Sequence, residues 1–465
     1  FGSRLACLSE KVYTYRQSRG VSSPWASMAY RIFGCCLAAC AFPAWSLLTA
    51  RDALPAFEDY VARFQRTYDS TEFVQRKELF HARWKEIQQQ NSNAGRLWTA
   101  GVNHLTDRTE EELSALRNRK GYLSARAGLP SSPMTAAQSK SSVDTKRGLR
   151  SGKQLQADAA PEFGCPAEGY DMSSTNMSMW QKHNESGDLP PSFTWVGQAP
   201  TLDMIRDQGG CGSCWAVTSS TVLWAHAELH GQNRTFSTQE LVDCVPNPEE
   251  CGGTGGCQGA TVELAYDWVL RYGIATVEKM PYHGTEMGSQ CMGSAITASS
   301  VLANAGIHQL EDQVQLHSSR QVNMQAFAKL PANRYWPLLY ALVTEGPVAV
   351  SVAAGPWALY QSGIFDGCQA DAEVDHAVVL VAYGAEQWPQ GLMKYWTIQN
   401  SWSDTWGEDG RIRLLRTDMD DLKDGQRCGT DYHPEVGLGC KGGPPTACVC
   451  GMCGVLFDSV YPVLA

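Results

Sequence analysis

The sequence predicts an α+β protein: a helical N-terminal segment, then a larger globular part that is helical in its first half and mostly sheet in its second. Three observations carry this. Between Ala53 and Arg119 the chain is charged, and Phe57, Tyr60, Val61 and Phe64, then Phe73 and Phe80, recur at helical spacing. From Cys214 to His230 there is neither Gly nor Pro, and Trp215, Val217, Val222 and Leu223 mark a buried helix. Further on, Val348, Val350 and Val352 alternate with small residues. Ala377 to Tyr383 is a nearly continuous apolar run, and Tyr395 to Gln399 and Arg411 to Leu415 are rich in strand formers.

The totals bound the class. With 465 residues, 43% hydrophobic and 18% charged, most of the chain should fold, into two or three domains. A formal net charge of -10 with no compensating Lys/Arg stripe argues against nucleic acid as a partner. Of 17 cysteines, twelve lie between Cys211 and Cys453, a density that points to an oxidising compartment.

From the front, residues 1–27 read as an upstream extension before Met28, and 28–50 as a signal peptide: a weakly basic start, then an apolar run from Ile32 to Ala50. A membrane-spanning anchor is the alternative. Pro43, the cysteines of the segment and the exportable domain behind it favour cleavage, leaving no stable membrane association. Residues 53–119 read as two helices and a short extended piece. Residues 120–187 shift to Ser, Ala, Lys, Gly and Pro, with a basic cluster at Lys146, Arg147, Arg150 and Lys153, and read as an exposed linker. The globular part occupies 188–465. Glycosylation sequons stand at Asn176, Asn184 and Asn233.

Within the globular part, Gln208-Gly209-Gly210-Cys211-Gly212-Ser213-Cys214-Trp215-Ala216 places a thiol on the first turn of the buried helix, where unpaired N–H groups favour the thiolate. This run resembles the nucleophile motif of the papain and cathepsin family of cysteine proteases. Val374-Asp375-His376-Ala377-Val378 and Asn400-Ser401-Trp402, followed by Trp406-Gly407-Glu408, match the family's histidine and asparagine segments in the same order. The resemblance implies a papain-like two-lobed fold, a helical left lobe carrying Cys214 and a β-barrel-like right lobe carrying His376 and Asn400, preceded by a helical propeptide. It implies a secreted, lysosomal or vacuolar endopeptidase acting on polypeptides through a Cys-His ion pair and a thioester, without a cofactor. Gln208 would donate to the oxyanion beside the Cys214 N–H, Asn400 would orient His376, and Trp402 would cover their hydrogen bond.

The resemblance reaches upstream. Glu72, Arg76, Phe80, Ile87 and Asn91 fall on the spacing of the inhibitory propeptide of cathepsin L-like enzymes, with Arg83 where that pattern has asparagine. Gly101, Asn103, Leu105 and Asp107 match the motif that follows. The implied product is a zymogen whose propeptide runs backwards through the cleft as an intramolecular inhibitor. Asp107 and its acidic neighbours are expected to hold it on the main domain only while ionised.

Departures are expected to matter. Cys257-Gln258-Gly259-Ala260 resembles the strip that pairs with substrate backbone, but Ala260 replaces a glycine, and Ser403 replaces another. Residues 428–450 look like a cysteine-rich insertion. By family register the disulfides are Cys211 to Cys257, Cys244 to Cys291 and Cys368 to Cys453, leaving Cys251, Cys428, Cys440, Cys448 and Cys450. Five is odd, so one thiol is free or pairs elsewhere; a zinc site of Cys440, Cys448, Cys450 and Cys453 is the alternative. By resemblance, Thr261, Val262, Ser351, Val374 and Ala377 wall the pocket for the second residue before the scissile bond. Asp458 stands at its far end, either admitting a basic residue or pairing locally. Two rival functions are a catalytically dead binder, disfavoured by the retained Cys214, and an inhibitor acting through the propeptide alone.

Overall fold

In the computed structural model, residues 55–117, 189–288, 291, 322–417 and 428–465 are described. The expected signal peptide and the linker, with Asn176 and Asn184, lie outside the described residues. Asn233 is exposed.

The N-terminal arm holds α1 (Phe57–Arg63), α2 (Ser70–Ser92), strand β1 (Trp98–Ala100) and α3 (Glu110–Ala115), one helix more than expected. The signal for α3 is local: Thr109 and Glu112 form a reciprocal capping box. Asp69 caps α2 through the N–H groups of Thr71 and Glu72. Phe57, Tyr60 and Phe80 form the arm's small core. Arg83, unusual at its position, is buried because its guanidinium donates to the Leu105 and Thr106 carbonyls at 3.0 and 3.1 Å. Asp107 corrects an expectation: its carboxylate accepts from Tyr60 Oη at 2.9 Å and from Tyr68 Oη, both in the arm. It therefore braces the arm internally and does not clamp it to the main domain.

The main domain has two cores. One is built around α4 (Cys214–Leu229), α5 (Thr238–Cys244) and α6 (Val262–Tyr272). In the other, α7 (Tyr335–Thr344) packs on a sheet of β3 (Met324–Lys329), β4 (Val348–Val352), β5 (Tyr360–Phe365), β6 (His376–Trp388), β7 (Gly391–Gln399), β8 (Arg411–Leu415) and β11 (Asp458–Leu464). The strand order is β1-β5-β8-β7-β6-β4-β11-β3, with β2 (Phe193–Thr194) pairing β6. β5 and β8 are parallel and the remaining pairs antiparallel. The arm thus supplies the edge strand: β1 pairs β5, Gly101 N donates to Leu359 O, and Asn103 Nδ2 donates to Ala358 O.

Disulfides join Cys211 to Cys257, Cys244 to Cys291 and Cys368 to Cys453. Within 428–450, β9 (Cys428–Asp431) and β10 (Ala447–Cys450) form a hairpin bridged by Cys428 and Cys450. Cys440 pairs with Cys251, far away in sequence on the other lobe. Cys448 is disulfide-bonded as well, so the four cysteines of the zinc alternative are engaged in bridges. Among the described residues the free thiol is Cys214.

Gly363 shows how closely the arm is seated. Its φ is +98°, and a Cβ there would stand 2.4 Å from Leu97 O and 2.7 Å from Trp98 Cα. Gly363→Ala should cost roughly 1–3 kcal/mol through backbone strain in the precursor and the processed domain alike. The clash adds roughly 1–3 kcal/mol in the precursor alone. Thermal unfolding of both forms checks this; equal losses would mean that β1 does not dock on β5 as described.

Candidate active site

Cys214 is the first residue of α4, a buried thiol on the helix terminus where backbone N–H groups are unpaired. Helix α4 fits there because its residues up to Leu223 are small or apolar and buried. The chain enters the helix across Gly212, where a Cβ would meet Cys257 O at 2.5 Å and Ala115 O of the arm at 2.9 Å. Only a glycine lets the arm lie so close above the nucleophile.

His376 opens β6 and Asn400 follows β7, so the antiparallel pairing of these strands brings the two side chains together. His376 Nε2 lies 2.8 Å from Asn400 Oδ1. That oxygen also accepts from Ser401 N at 2.8 Å, which fixes it as the amide oxygen and makes Nε2 the protonated ring nitrogen. His376 Nδ1 is buried without a hydrogen-bond partner. It is the atom left to exchange a proton with a thiol. Trp402 lies over the imidazole, centroids 4.9 Å apart, and Trp357 meets it edge-on at 6.3 Å.

Gln208 is fully buried, and its amide is oriented by Ser401, whose Oγ donates to Gln208 Oε1 at 2.6 Å. The amide nitrogen donates to Cys211 O at 2.9 Å and to Leu116 O of the arm at 3.0 Å. A carbonyl of the arm therefore occupies the donor that the sequence assigns to the oxyanion. The next residue, Arg117, is buried with its guanidinium 3.7 Å from the carboxylate of Asp375, the neighbour of His376. Neither this pair nor the role of Ser401 was read from sequence, although Asp375 and Ser401 stand inside the quoted motifs. A motif names neighbours in the chain and is silent about what lies across a cleft.

The electrostatics follow from this cover. Burial pushes the Cys214 thiol up to about 12, against the pull of N–H groups at Ala377 and Trp215. Burial holds His376 down to about 4, opposed by its bond to Asn400 and reinforced by the Arg117 charge. Both groups are thus neutral near pH 7, and the helix terminus alone does not deliver a thiolate while the arm is seated.

Asp458, Ser351 and Ala377 are register partners on β11, β4 and β6 and form one rung across the sheet. Thr261 and Val262 begin α6, and Gly259, with φ +94°, and Ala260 lead into it. Asp458 is buried; its carboxylate accepts from Ser351 Oγ at 2.7 Å and meets Lys329 Nζ at 2.9 Å, and the same ammonium bonds Glu263 of α6. Lys329 carries no sequence signal and was missed.

Similarity to known proteins agrees with this geometry. The profile described as papain family cysteine protease matches residues 189–438, more than half of the chain. The chain belongs to the papain family. A second profile, the cathepsin propeptide inhibitor domain, matches residues 57–113, so the arm is this family's propeptide. Cysteine proteinase COT44 of Brassica napus is 31% identical over 280 residues, covering 59% of this chain and 66% of the relative. Oryzain beta chain of Oryza sativa subsp. japonica is 29% identical, with 53% of its length covered, so the chain spans between half and two thirds of these relatives. Senescence-specific cysteine protease SAG39 of the same rice is 25% identical over 414 residues and is covered to 97%. Among solved structures, digestive procathepsin L2 from Tenebrio molitor superposes with a TM-score of 0.55 at 21% identity, covering 88% of this chain and 98% of that one. Recombinant stem bromelain precursor gives 0.53 at 22%, covering 88% and 97%. These two establish the fold.

The depressed histidines set a pH window for the papain-family precursor. His104 of the propeptide is also held at about 4, first by burial, and its Nδ1 lies 3.1 Å from Thr405 Oγ1 of the main domain. For His376 and His104, whose pKa is lowered first by burial, the folded chain has this stabilisation in full above about pH 6.5 and loses it as pH falls through about 4. The unfolding temperature of a Cys214→Ala precursor should fall across this window, and less steeply in Cys214→Ala/His104→Gln. A flat profile would sink this account of acid release.

Proposed function

We propose that the chain is the zymogen of a cysteine peptidase that hydrolyses peptide bonds through a thioester on Cys214. The observation that carries the proposal is the His376 to Asn400 hydrogen bond, which leaves Nδ1 bare and buried, together with a buried free thiol at a helix N-terminus. Once the propeptide leaves, water reaches the pair, the desolvation that keeps both groups neutral is relieved, and the proton moves from sulfur to Nδ1. The thiolate then attacks the substrate carbonyl carbon. Gln208 Nε2, released from Leu116 O, and the Cys214 N–H donate to the developing oxyanion. The His376 imidazolium protonates the leaving amine, and a water molecule, deprotonated by His376, resolves the thioester to acid and free thiol. Asn400 and Trp402 hold the ring in place for both transfers.

The route is the secretory pathway, to a lysosome or vacuole or to the exterior. The number of disulfides joining the described residues supports it, and no described helix is long and apolar enough to cross a membrane. The exposed Asn233 is the described site for a glycan.

Acid-activated wild type should be labelled by an epoxysuccinyl cysteine-protease probe at Cys214. Cys214→Ala should lose label and turnover, and Gln208→Ala should turn over dipeptide substrates on the order of 10²-fold more slowly. Labelling at another residue, or a kinetically silent Gln208→Ala, would remove the corresponding assignment.

We also propose that Thr261, Val262, Ser351, Val374 and Ala377 receive Leu, Val or Phe as the second residue before the scissile bond, an apolar burial worth roughly 1.5–3 kcal/mol. Asp458 is paired with Lys329, so a basic residue there would compete with a built-in ammonium. Lys329→Met, which uncovers Asp458 and Glu263 together, should raise the ratio of Arg to Phe turnover at that position by about tenfold. Asp458→Ala/Lys329→Met should abolish most of the gain. An unchanged ratio in Lys329→Met would place the cluster outside the pocket.

A further inference from the structure

The insertion does more than decorate one lobe. On the right-hand lobe it is anchored at the segment leading into His376: Asp431 Oδ2 accepts from Val374 N at 3.1 Å, and Thr430 N donates to Asp371 Oδ1 at 2.8 Å. Gly437 then lies directly on that segment, since a Cβ built there would stand 1.9 Å from Val374 O and 3.2 Å from Asp375 Cα. Two residues later the chain has reached the other lobe. Gly439 O accepts from Gly252 N at 3.2 Å, Cys440 is disulfide-bonded to Cys251, and Lys441 N donates to Glu249 O at 2.8 Å. A surface ion pair of Lys441 with Glu250 at 3.2 Å completes the contact.

The place of attachment is the informative part. Gly252 packs on the strip that leads into α6: a Cβ there would lie 2.7 Å from Ala260 O and 3.1 Å from Thr261 Cγ2. Gly253 is closer still, 2.0 Å from Gln258 O by the same measure. Val374 on one side and Thr261 on the other belong to the pocket proposed above, and Ala260 to the strip beside it. From Gly437 to Gly439 the chain spans at most about 7 Å. A turn makes this step, with Gly437 N and Gly439 N both donating to Pro434 O. A substrate strand running on past that pocket would need about 4.8 Å to a pairing strand on either side.

We propose that Gly437–Lys441, riveted by the Cys251 to Cys440 disulfide, closes the cleft just past the pocket for the second residue on the N-terminal side of the scissile bond. The peptidase then removes pieces of up to two residues from free N-termini, in place of the internal cleavage that the family resemblance implies. The inference rests on the peptidase reading and its pocket assignment. The bonds made and broken are those already described: the acyl group carried on Cys214 is a dipeptidyl unit, the leaving amine takes its proton from His376, and water supplies the hydroxyl and proton that complete hydrolysis.

The test uses the acid-activated wild-type enzyme and two peptides of one sequence, the first with a free N-terminus and the second extended by acetyl-Gly-Gly-Gly, with products followed by mass spectrometry. The expected result is stepwise loss of two-residue pieces from the first and cleavage of the second slower by at least about tenfold. Cys251→Ser/Cys440→Ser, which frees the strap, should gain internal cleavage of the extended peptide. Equal internal cleavage of both peptides by wild type would overturn the strap and leave the peptidase reading standing. No turnover of either, together with no epoxysuccinyl label on Cys214, would overturn both. Should the double variant fail to fold, the wild-type product ladder decides alone.

Discussion

The burial of Cys214 and His376, beside the seats of the propeptide residues Ala115, Leu116 and Arg117 on Gly212, Gln208 and Asp375, is the condition on which the rest of the molecule depends. A thiolate and an imidazolium need solvent or compensating charge, and the seated propeptide supplies neither. It brings instead a carbonyl oxygen to the Gln208 amide and a guanidinium to Asp375. Burial holds Cys214 and His376 neutral, and the propeptide's Arg117 charge adds to it at His376.

That contact is at the end of a long lever, and the lever has to be rigid. Strand β1 adds to β5 with main-chain hydrogen bonds that do not depend on side-chain chemistry, and Asn103 adds a bond to the Ala358 carbonyl. Behind it, Asp107 ties Tyr60 and Tyr68 together, and Arg76 bridges Glu72 and Glu112. Asp107, Arg76, Glu72 and Glu112 thus hold the propeptide's own shape, while His104 and Arg117 meet the main domain. Protonating an interface histidine can undo docking without unfolding the arm.

The main domain has the opposite problem, since a cleft between two lobes must open to substrate without losing alignment. The β6 and β7 pairing fixes His376 against Asn400 within one lobe, and Ser401 reaches across to orient Gln208 next to the other. Lys329 and the strap add two more cross-lobe ties, one ionic and one covalent. Each lies beside the proposed specificity pocket.

The sequence determined the local chemistry. The glycines before Cys214, the helix without Gly or Pro behind it, and the alternating or continuous apolar strands were all legible, because capping, helix and strand periods are set by near neighbours in the chain. The short α3 carried its own capping box and was overlooked among charged residues. The tertiary structure decided what no local rule encodes: that Asp107 faces tyrosines of its own arm, that Leu116 and Arg117 rest on Gln208 and Asp375, that Lys329 joins Glu263 to Asp458, and that Cys440 reaches Cys251. Those partners are dozens to more than two hundred residues apart. Their pairing follows from how two lobes and an edge strand pack, which depends on the whole buried surface and on no single segment of sequence.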